Sequence, residues 1–453
     1  MRRFSLICRY GLDDQIPVSI VERESCQATL QLVSGRRTLG HGIGDTLSHL
    51  QRQGLFPSEI AVDLLVLAAV VYCADTRINR AKESQDNWTR EVDIYLPVSN
   101  TKRWEAVSLS LSIALEFLTG DKWRFFFRAR PEGFDSIVAR SELRFSNLPA
   151  SVCLFSGGLD SFIGAIDLLE NRETPLLVGH GRVPNVVHDQ TECLKALRRN
   201  YGLGRVRFLK SPIGFDHGII GGAESENTDR ARSFLFFSLA ALGASTLKGK
   251  TTVYVPENGL ISLNVPLDPL RLGSLSTRTT HPFFMARFND LLGNLGIRAH
   301  LINPYRHKTK GEMVRECQNQ DFLADNAQLT MSCSSPTKGR WKHLASAHCG
   351  HCVPCLIRKA AFVGWQKGDN TQYHLADLLG QVLDPARADG ECVRSIQLAL
   401  RRLNNDINRA KILVHTAGPL TDCLDEVPAF ARVYLAGMQE LACLLEGVEV
   451  LHE

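Results

Sequence analysis

From residue 150 onward the chain alternates a short apolar run with a helical segment, five times over. The runs are 152–155, 175–179, 205–209, 251–255 and 297–302; the segments after them are 160–171, 186–201, 230–247, a helix opening at His281-Pro282, and 310–318. Parallel strands need a crossover between them, usually a helix, so units of this length predict an α/β fold with a doubly wound parallel sheet. Ligands of such sheets bind beyond the carboxyl ends of the strands. Residues 1–148 are patterned differently, with a strand-like opening (3–9), an apolar helix (57–74), the alternating EVDIYLPV (91–98), a helix (104–118) and WRFFFRAR (123–130). They predict an α+β N-terminal domain, bounded by the polar connection 131–149. The repeating part fills 149–368. Residues 369–453 predict a helical C-terminal region with helices at 373–383, 392–409 and 428–445.

The chain has 453 residues, enough for two or three domains that each bury a core. With 44% hydrophobic and 22% charged residues it is neither disordered nor fibrous. A net charge of +4 gives no indication of nucleic-acid binding. The longest apolar runs, 61–71 and 234–242, are shorter than the ~20 residues of a membrane span. MRRFSLICRYGLDD has no apolar stretch behind its arginines, so no secretory signal is read there, and the expected location is the cytoplasm. Cys8, Cys73, Cys153, Cys193, Cys423 and Cys443 stand singly and are expected as small buried hydrophobes.

The segment VCLFSGGLDSFIGAIDLL (152–169) carries the chemistry. It predicts a buried strand, a tight turn through Ser156, Gly157, Gly158, Leu159, Asp160 and Ser161, and an amphipathic helix. Paired glycines let backbone N–H groups approach an anion, and the helix N-terminus adds its positive dipole end. Two hydroxyls complete a set of donors suited to phosphate oxygens. An isolated Ser-Gly-Gly would be only a turn, with Asp160 an N-cap. GASTLKGKT (243–251) imitates a Walker loop but is not one, because five residues instead of four separate its glycines and a helix precedes it where a strand is needed. It is read as a glycine-capped helix end.

A second cluster, Cys333 with Cys349, Cys352 and Cys355 of CGHCVPC, has the spacing of a closed four-thiolate structural zinc site. His348 or His351 could replace Cys333 if that residue were too distant.

SGGLDS resembles the PP-loop of the N-type ATP pyrophosphatases, a HUP-like fold whose members cleave ATP between the α and β phosphates. That resemblance implies that Ser156, Gly157, Gly158, Leu159 and Ser161 bind ATP phosphates and that Asp160 helps hold Mg²⁺. Followed by C…CGxCxxC and Arg358, the motif resembles QueC, the 7-cyano-7-deazaguanine synthase family, which adenylates 7-carboxy-7-deazaguanine. Further matches are His180-Gly181 after the second strand, DRARSFLFFSLA (229–240) with Arg232 at the nucleotide, and KTKGEMV (308–314) with Lys310. The resemblance covers about 150–364. It implies ATP, Mg²⁺ and a structural Zn²⁺, with Asp160, Ser161 and Lys310 as the catalytic group. Ser233 replaces the family's Asn, residues 256–282 replace its substrate loop, and fifteen residues separate Cys333 from Cys349.

With its extra terminal regions the chain looks like the QueC-like proteins of bacterial anti-phage systems, QatC in particular. This implies a ligase-type activity that joins an activated deazaguanine to the amine of a partner protein encoded nearby. An acyl-adenylate reacts with any unprotonated amine held in line, and positioning supplies most of the advantage. Ordinary synthesis with ammonia, a non-catalytic zinc-stabilised binding subunit and a tRNA-thiolating enzyme are the competing expectations.

Glu257 and Asn258 follow the fourth strand and could read a guanine-like edge, although Asn-Gly is also a turn signal. Arg278 and His281 could bind the substrate, with Thr280 as a good N-cap before Pro282. His217 sits in a glycine-rich loop and is read as solvated.

Overall fold

The computed structural model describes residues 3–34, 38–84, 86–138, 148–181, 184–268, 278–334, 336 and 346–451. Part of the predicted boundary (139–147) and of the substrate-loop replacement (269–277) lies outside them.

The N-terminal part runs β1 (Arg3–Arg9), β2 (Cys26–Gln31), β3 (Val33–Ser34), β4 (Thr38–Leu39), α1 (Ile43–Arg52), α2 (Glu59–Arg77), α3 (Arg80–Glu83), β5 (Glu91–Val98), α4 (Thr101–Thr119) and β6 (Lys122–Ala129). The central part runs β7 (Ser151–Leu154), α5 (Leu159–Glu170), β8 (Pro175–His180), α6 (Pro184–Tyr201), β9 (Arg207–Ser211), α7 (Arg232–Ala244), β10 (Thr251–Tyr254), α8 (Gly259–Leu263), α9 (Pro282–Leu295), β11 (Ala299–Ile302), α10 (Lys310–Glu316), α11 (Gln320–Asn326) and α12 (Val353–Phe362). Helices α13 (Ala388–Leu403), α14 (Ile407–Leu413) and α15 (Val427–Leu444) close the chain.

The central sheet has the order β11-β10-β7-β8-β9 and is parallel throughout. The chain lays down β7, β8 and β9 outward, then returns to the other side of β7 for β10 and β11. The connections leaving β7 and β10 therefore diverge, and the crevice between their carboxyl ends is where this Rossmann-like arrangement receives a ligand. Helices α5 and α6 pack with Phe155, Phe162 and Leu177 on one face; α7 and α9 cover the other.

The N-terminal sheet, β2-β1-β5-β6, is also parallel throughout. The antiparallel β3–β4 pair stands outside it. Although EVDIYLPV alternates, all of β5 after Glu91 is buried. Its polar position Asp93 is buried by pairing with Arg124 at 2.7 and 2.6 Å. Helix α4 is the crossover that makes β5–β6 parallel.

Helix α2 packs on α7 and α4 on α9, and one buried apolar cluster runs from Phe4 to Leu301. The N-terminal sheet and the central sheet thus share a core. A buried ion network reinforces this junction: Arg90 reaches Asp75 and Asp121, each at 2.6 Å, and Arg80 reaches Asp121 at 2.9 Å. The second oxygen of Asp75 accepts the Ala231 N–H at 2.7 Å, tying the network to the start of α7.

Two C-terminal expectations are corrected. Residues 373–383 form no helix: Tyr373 pairs with His348, Leu375 N–H donates to the Cys349 carbonyl at 3.1 Å, and Leu383 pairs with Val450. Backbone pairing with the cysteine loop replaces local helix formation there. The helix expected over 392–409 is broken by Asn404 and Asn405, both left-handed (φ 49° and 51°), which asparagine tolerates well. Cys443 is exposed on α15, contrary to expectation, while Cys8, Cys73, Cys153, Cys193 and Cys423 are buried. In the Walker look-alike, Gly243 lies inside α7 against Leu176, and Ser245 is the C-cap. Among the described residues no helix is long and apolar enough to cross a membrane.

Removing one member of a buried ion network leaves its partners uncompensated. Arg90→Leu should lower unfolding free energy by about 3–5 kcal/mol in urea titration.

Candidate active site and metal centre

The nest sits between β7, whose four residues are all buried, and α5. Gly157 adopts φ +81°, and a Cβ there would stand 3.0 Å from the Gln190 side chain, so both backbone and packing require glycine. Gly158 is the N-cap of α5 and no side chain caps the helix. The first-turn N–H groups are therefore left for an anion. Ser156 is exposed and Gly158 half-buried, so the nest opens to solvent. Ser156 Oγ accepts the Gly158 N–H at 3.2 Å and lies 3.2 Å from Ser161 Oγ, which donates to the Gly158 carbonyl at 2.9 Å. Leu159 is fully buried, so only its backbone can serve a ligand. These features suit phosphate oxygens.

Asp160 is the second residue of α5, not its cap. Its Oδ1 pairs with Lys310 Nζ at 2.6 Å; its Oδ2 accepts the Asn258 backbone N–H at 3.0 Å and side-chain Nδ2 at 2.7 Å. Burial acts to raise the Asp160 pKa, but Lys310 and the two Asn258 hydrogen bonds outweigh it and hold the carboxyl below its ordinary value. Both oxygens are thus engaged, Oδ1 by an ammonium and Oδ2 by two amide N–H groups. Lys310 is buried at the first position of α10, behind the Thr309–Glu312 capping box.

Asn258 also caps α8, its Oδ1 accepting the Ile261 N–H at 3.1 Å. Glu257 beside it is half-buried and hydrogen-bonded by the Thr280 hydroxyl. Its backbone is gripped by Asn303, whose Nδ2 donates to the Glu257 carbonyl at 2.8 Å. Burial, with the nearby Asp160 charge adding to it, pushes the Glu257 carboxyl up to about 7. The structure thus gathers Ser156–Ser161, Asp160, Lys310, Glu257 and Asn258 at the β7/β10 crevice.

The remaining candidates are placed differently. His180 ends β8 and is buried; Nε2 meets the Ile213 carbonyl at 2.7 Å and the ring lies edge-on to Tyr72 and Phe236. Gly181 N–H donates to the Ser211 carbonyl at 3.1 Å. Arg232, at the start of α7, lies over Phe236 and 3.7 Å from Asp229. Arg278 donates to the Phe117 carbonyl at 2.8 Å and covers its ring. His281, not Thr280, caps α9, with Nδ1 accepting the Phe283 N–H at 3.3 Å. Burial and Arg278 push its pKa down to about 3. His217 Nδ1 meets Ser225 Oγ at 2.7 Å on the surface.

Gln190 was missed. Its Nε2 lies 3.3 Å from the Phe155 carbonyl, 3.3 Å from that of Ser156 and 3.4 Å from that of His180, bracing the ends of two strands. Its signal was a glutamine on the apolar stripe of α6, three, four and seven residues before Cys193, Leu194 and Leu197. Asn303 and Met331 were also missed, and neither carries a pattern that marks it; Thr280 was expected as a cap and instead gives its hydroxyl to Glu257.

The four cysteines converge. All four sulfurs lie within 4.8 Å of one another, with Cys333–Cys352 and Cys349–Cys355 both at 3.9 Å. Zn–S bonds of ~2.3 Å in a tetrahedron place sulfurs roughly 3.8 Å apart, so the cluster fits a closed structural zinc. His348 instead accepts the Ser332 N–H at 3.1 Å and His351 meets the Ala388 carbonyl at 2.9 Å. Cys352 caps α12 and Cys355 lies in its first turn.

The chain is 26% identical over 149 residues, 32% of its length, to 7-cyano-7-deazaguanine synthase 1 of Sphingopyxis alaskensis. The match spans 57% of that relative. This similarity is to the QueC family. No protein-family profile matches the chain, and no solved structure does.

Two outcomes are expected. Metal analysis should find zinc on the purified protein, and Cys355→Ser should lose it with a sharp fall in melting temperature. A carboxyl whose folded pKa exceeds its unfolded value binds its proton more tightly when folded, so Glu257 makes stability fall as pH rises from its ordinary 4.5 towards about 7. Glu257→Gln should therefore melt higher than the wild type at pH 8 and show no such gain at pH 4.

Proposed function

We propose that this chain is a PP-loop ATP pyrophosphatase of the QueC-like kind that activates a 7-deazaguanine acid and passes it to an amine. The observation that carries the proposal is the uncapped, solvent-facing nest at the switch point, with the Lys310–Asp160–Asn258 clasp beside it. The similarity to a 7-cyano-7-deazaguanine synthase supports the substrate class.

In this reading the nest N–H groups and the Ser156 and Ser161 hydroxyls hold the β and γ phosphates. The substrate carboxylate attacks the α phosphorus, the bond to pyrophosphate breaks, and an acyl-adenylate forms. An amine then attacks the acyl carbon, AMP departs and the nitrogen loses a proton. Lys310 offsets the negative charge that gathers on the departing pyrophosphate, and Asp160 keeps its ammonium in place. Glu257 and Asn258, on the β10 side, meet the guanine-like edge. Mg²⁺ bound with the nucleotide would supply further charge neutralisation.

We further propose that the acceptor is an amine of a partner protein and that the modification serves anti-phage defence in the cytoplasm. An exposed crevice beside additional N- and C-terminal regions is compatible with a macromolecular acceptor.

Pyrophosphate release from ATP should appear with one of deazaguanine carboxylate, amide or nitrile, and Lys310→Met should lower kcat/KM by roughly 10²–10³-fold. Release with none of them overturns the activity. Mass spectrometry of a neighbouring gene product, coexpressed with this chain, should show a gain equal to one deazaguanine acyl group. An unchanged mass with active enzyme identifies ammonia as the acceptor.

A further inference from the structure

Between α11 and Cys333 the chain passes directly behind the nest. Met331 N–H donates to the Gly157 carbonyl at 2.9 Å, and Cys193 Sγ meets the Leu329 carbonyl at 3.5 Å. The first of these bonds has a geometric consequence. In a trans peptide the C=O and N–H point in opposite directions. Holding the Gly157 oxygen towards Met331 therefore aims the Gly158 N–H to the opposite side, where Ser156 Oγ now receives it. Gly157, at φ +81°, has little steric barrier to a peptide flip, and a flipped carbonyl would face a phosphate with negative charge.

The segment that delivers Met331 is pinned at both ends. Downstream, two residues on, Cys333 enters the four-thiolate centre. Upstream, the pin is Arg358. This side chain is fully buried on α12, one turn past Cys355, and among the described residues no carboxylate lies within ion-pair distance of it. Its guanidinium is satisfied by neutral oxygens instead. Nη1 donates to Thr330 Oγ1 at 2.7 Å, and Nη2 donates to the Ala327 carbonyl at 2.8 Å and to Thr371 Oγ1 at 2.8 Å. A buried cation is costly to desolvate, and one planar fork bonded to Ala327 and Thr330 holds that segment, while its bond to Thr371 ties it to the chain after α12. A tetrathiolate zinc carries a net charge of about −2, which further favours a cation on the same helix.

We propose that Arg358 is a positioning residue for the phosphate nest: it clamps residues 327–332 so that the Met331 N–H keeps the Gly157–Gly158 peptide in its anion-binding orientation. The cysteine cluster and Arg358 hold this segment from one helix. This rests on the nest being the ATP site.

The test is direct titration of ATP, with Mg²⁺ present, into the full zinc-loaded chain at low temperature, with zinc content and melting temperature measured on each sample. Arg358→Gln should weaken ATP binding about tenfold or more, the loss expected when hydrogen bonds from a charged group are removed, while zinc content stays unchanged. Thr330→Val keeps the volume and the cation, removes one acceptor, and should weaken binding by a smaller factor; it serves where Arg358→Gln fails to fold. Arg358→Lys should restore part of the affinity. A purely structural role would lower the melting temperature and leave ATP affinity of the folded protein untouched, and that result overturns the inference alone. If the wild-type chain binds no ATP, the nest assignment falls and takes this inference with it.

Discussion

The Asp160 carboxylate is the point at which three separate pieces of chain become one site. Its own helix, α5, leaves β7; Lys310 comes from α10 after β11; Asn258 comes from the turn after β10. The sheet order puts these three ends side by side, and one buried negative charge with one ammonium and two amide donors holds them there. A partly desolvated carboxylate needs all these partners, so the clasp fixes relative positions as well as adding stability. The clasp anchors the first turn of α5 on the β10 side, next to the Gly157–Gly158 turn.

Support for the crevice comes from two directions with different chemistry. On the α7 side an ion network of Arg80, Arg90, Asp75 and Asp121 locks the N-terminal sheet to the start of α7. On the opposite side, the support is a thiolate cluster and an arginine held by hydroxyls and a carbonyl. The N-terminal region consequently belongs to the same packed body as the central sheet. Its apolar layer is the surface on which α7 and α9 rest.

Much of the site was legible because it is contiguous. SGGLDS follows a strand and opens a helix within six residues, so the turn with Gly157 at φ +81° and the helix N-terminus fall where local pattern put them. The CGHCVPC spacing similarly implies a shared metal. What escaped were groups whose role comes from a distant neighbour. Gln190 braces carbonyls of two strands, Asn303 grips Glu257 across a strand end, and Thr280 gives its hydroxyl to Glu257 while His281 takes over the cap expected of it. Residues 373–383 have a helical pattern but lie beside the cysteine loop, whose unpaired backbone groups claim theirs.

The amino-acid sequence by itself determined the class of the central fold, the glycine turn at the head of α5 and the grouping of the four cysteines, since periodicity and short spacings act within one or two turns of chain. Only the tertiary structure decided that the N-terminal sheet is parallel, that Asp160 is clasped by Lys310 and Asn258, and that a segment carrying Met331 runs from the cysteine cluster to Gly157. Those outcomes depend on which elements lie side by side, and contacts between residues more than a hundred positions apart leave no periodic trace in the chain that makes them.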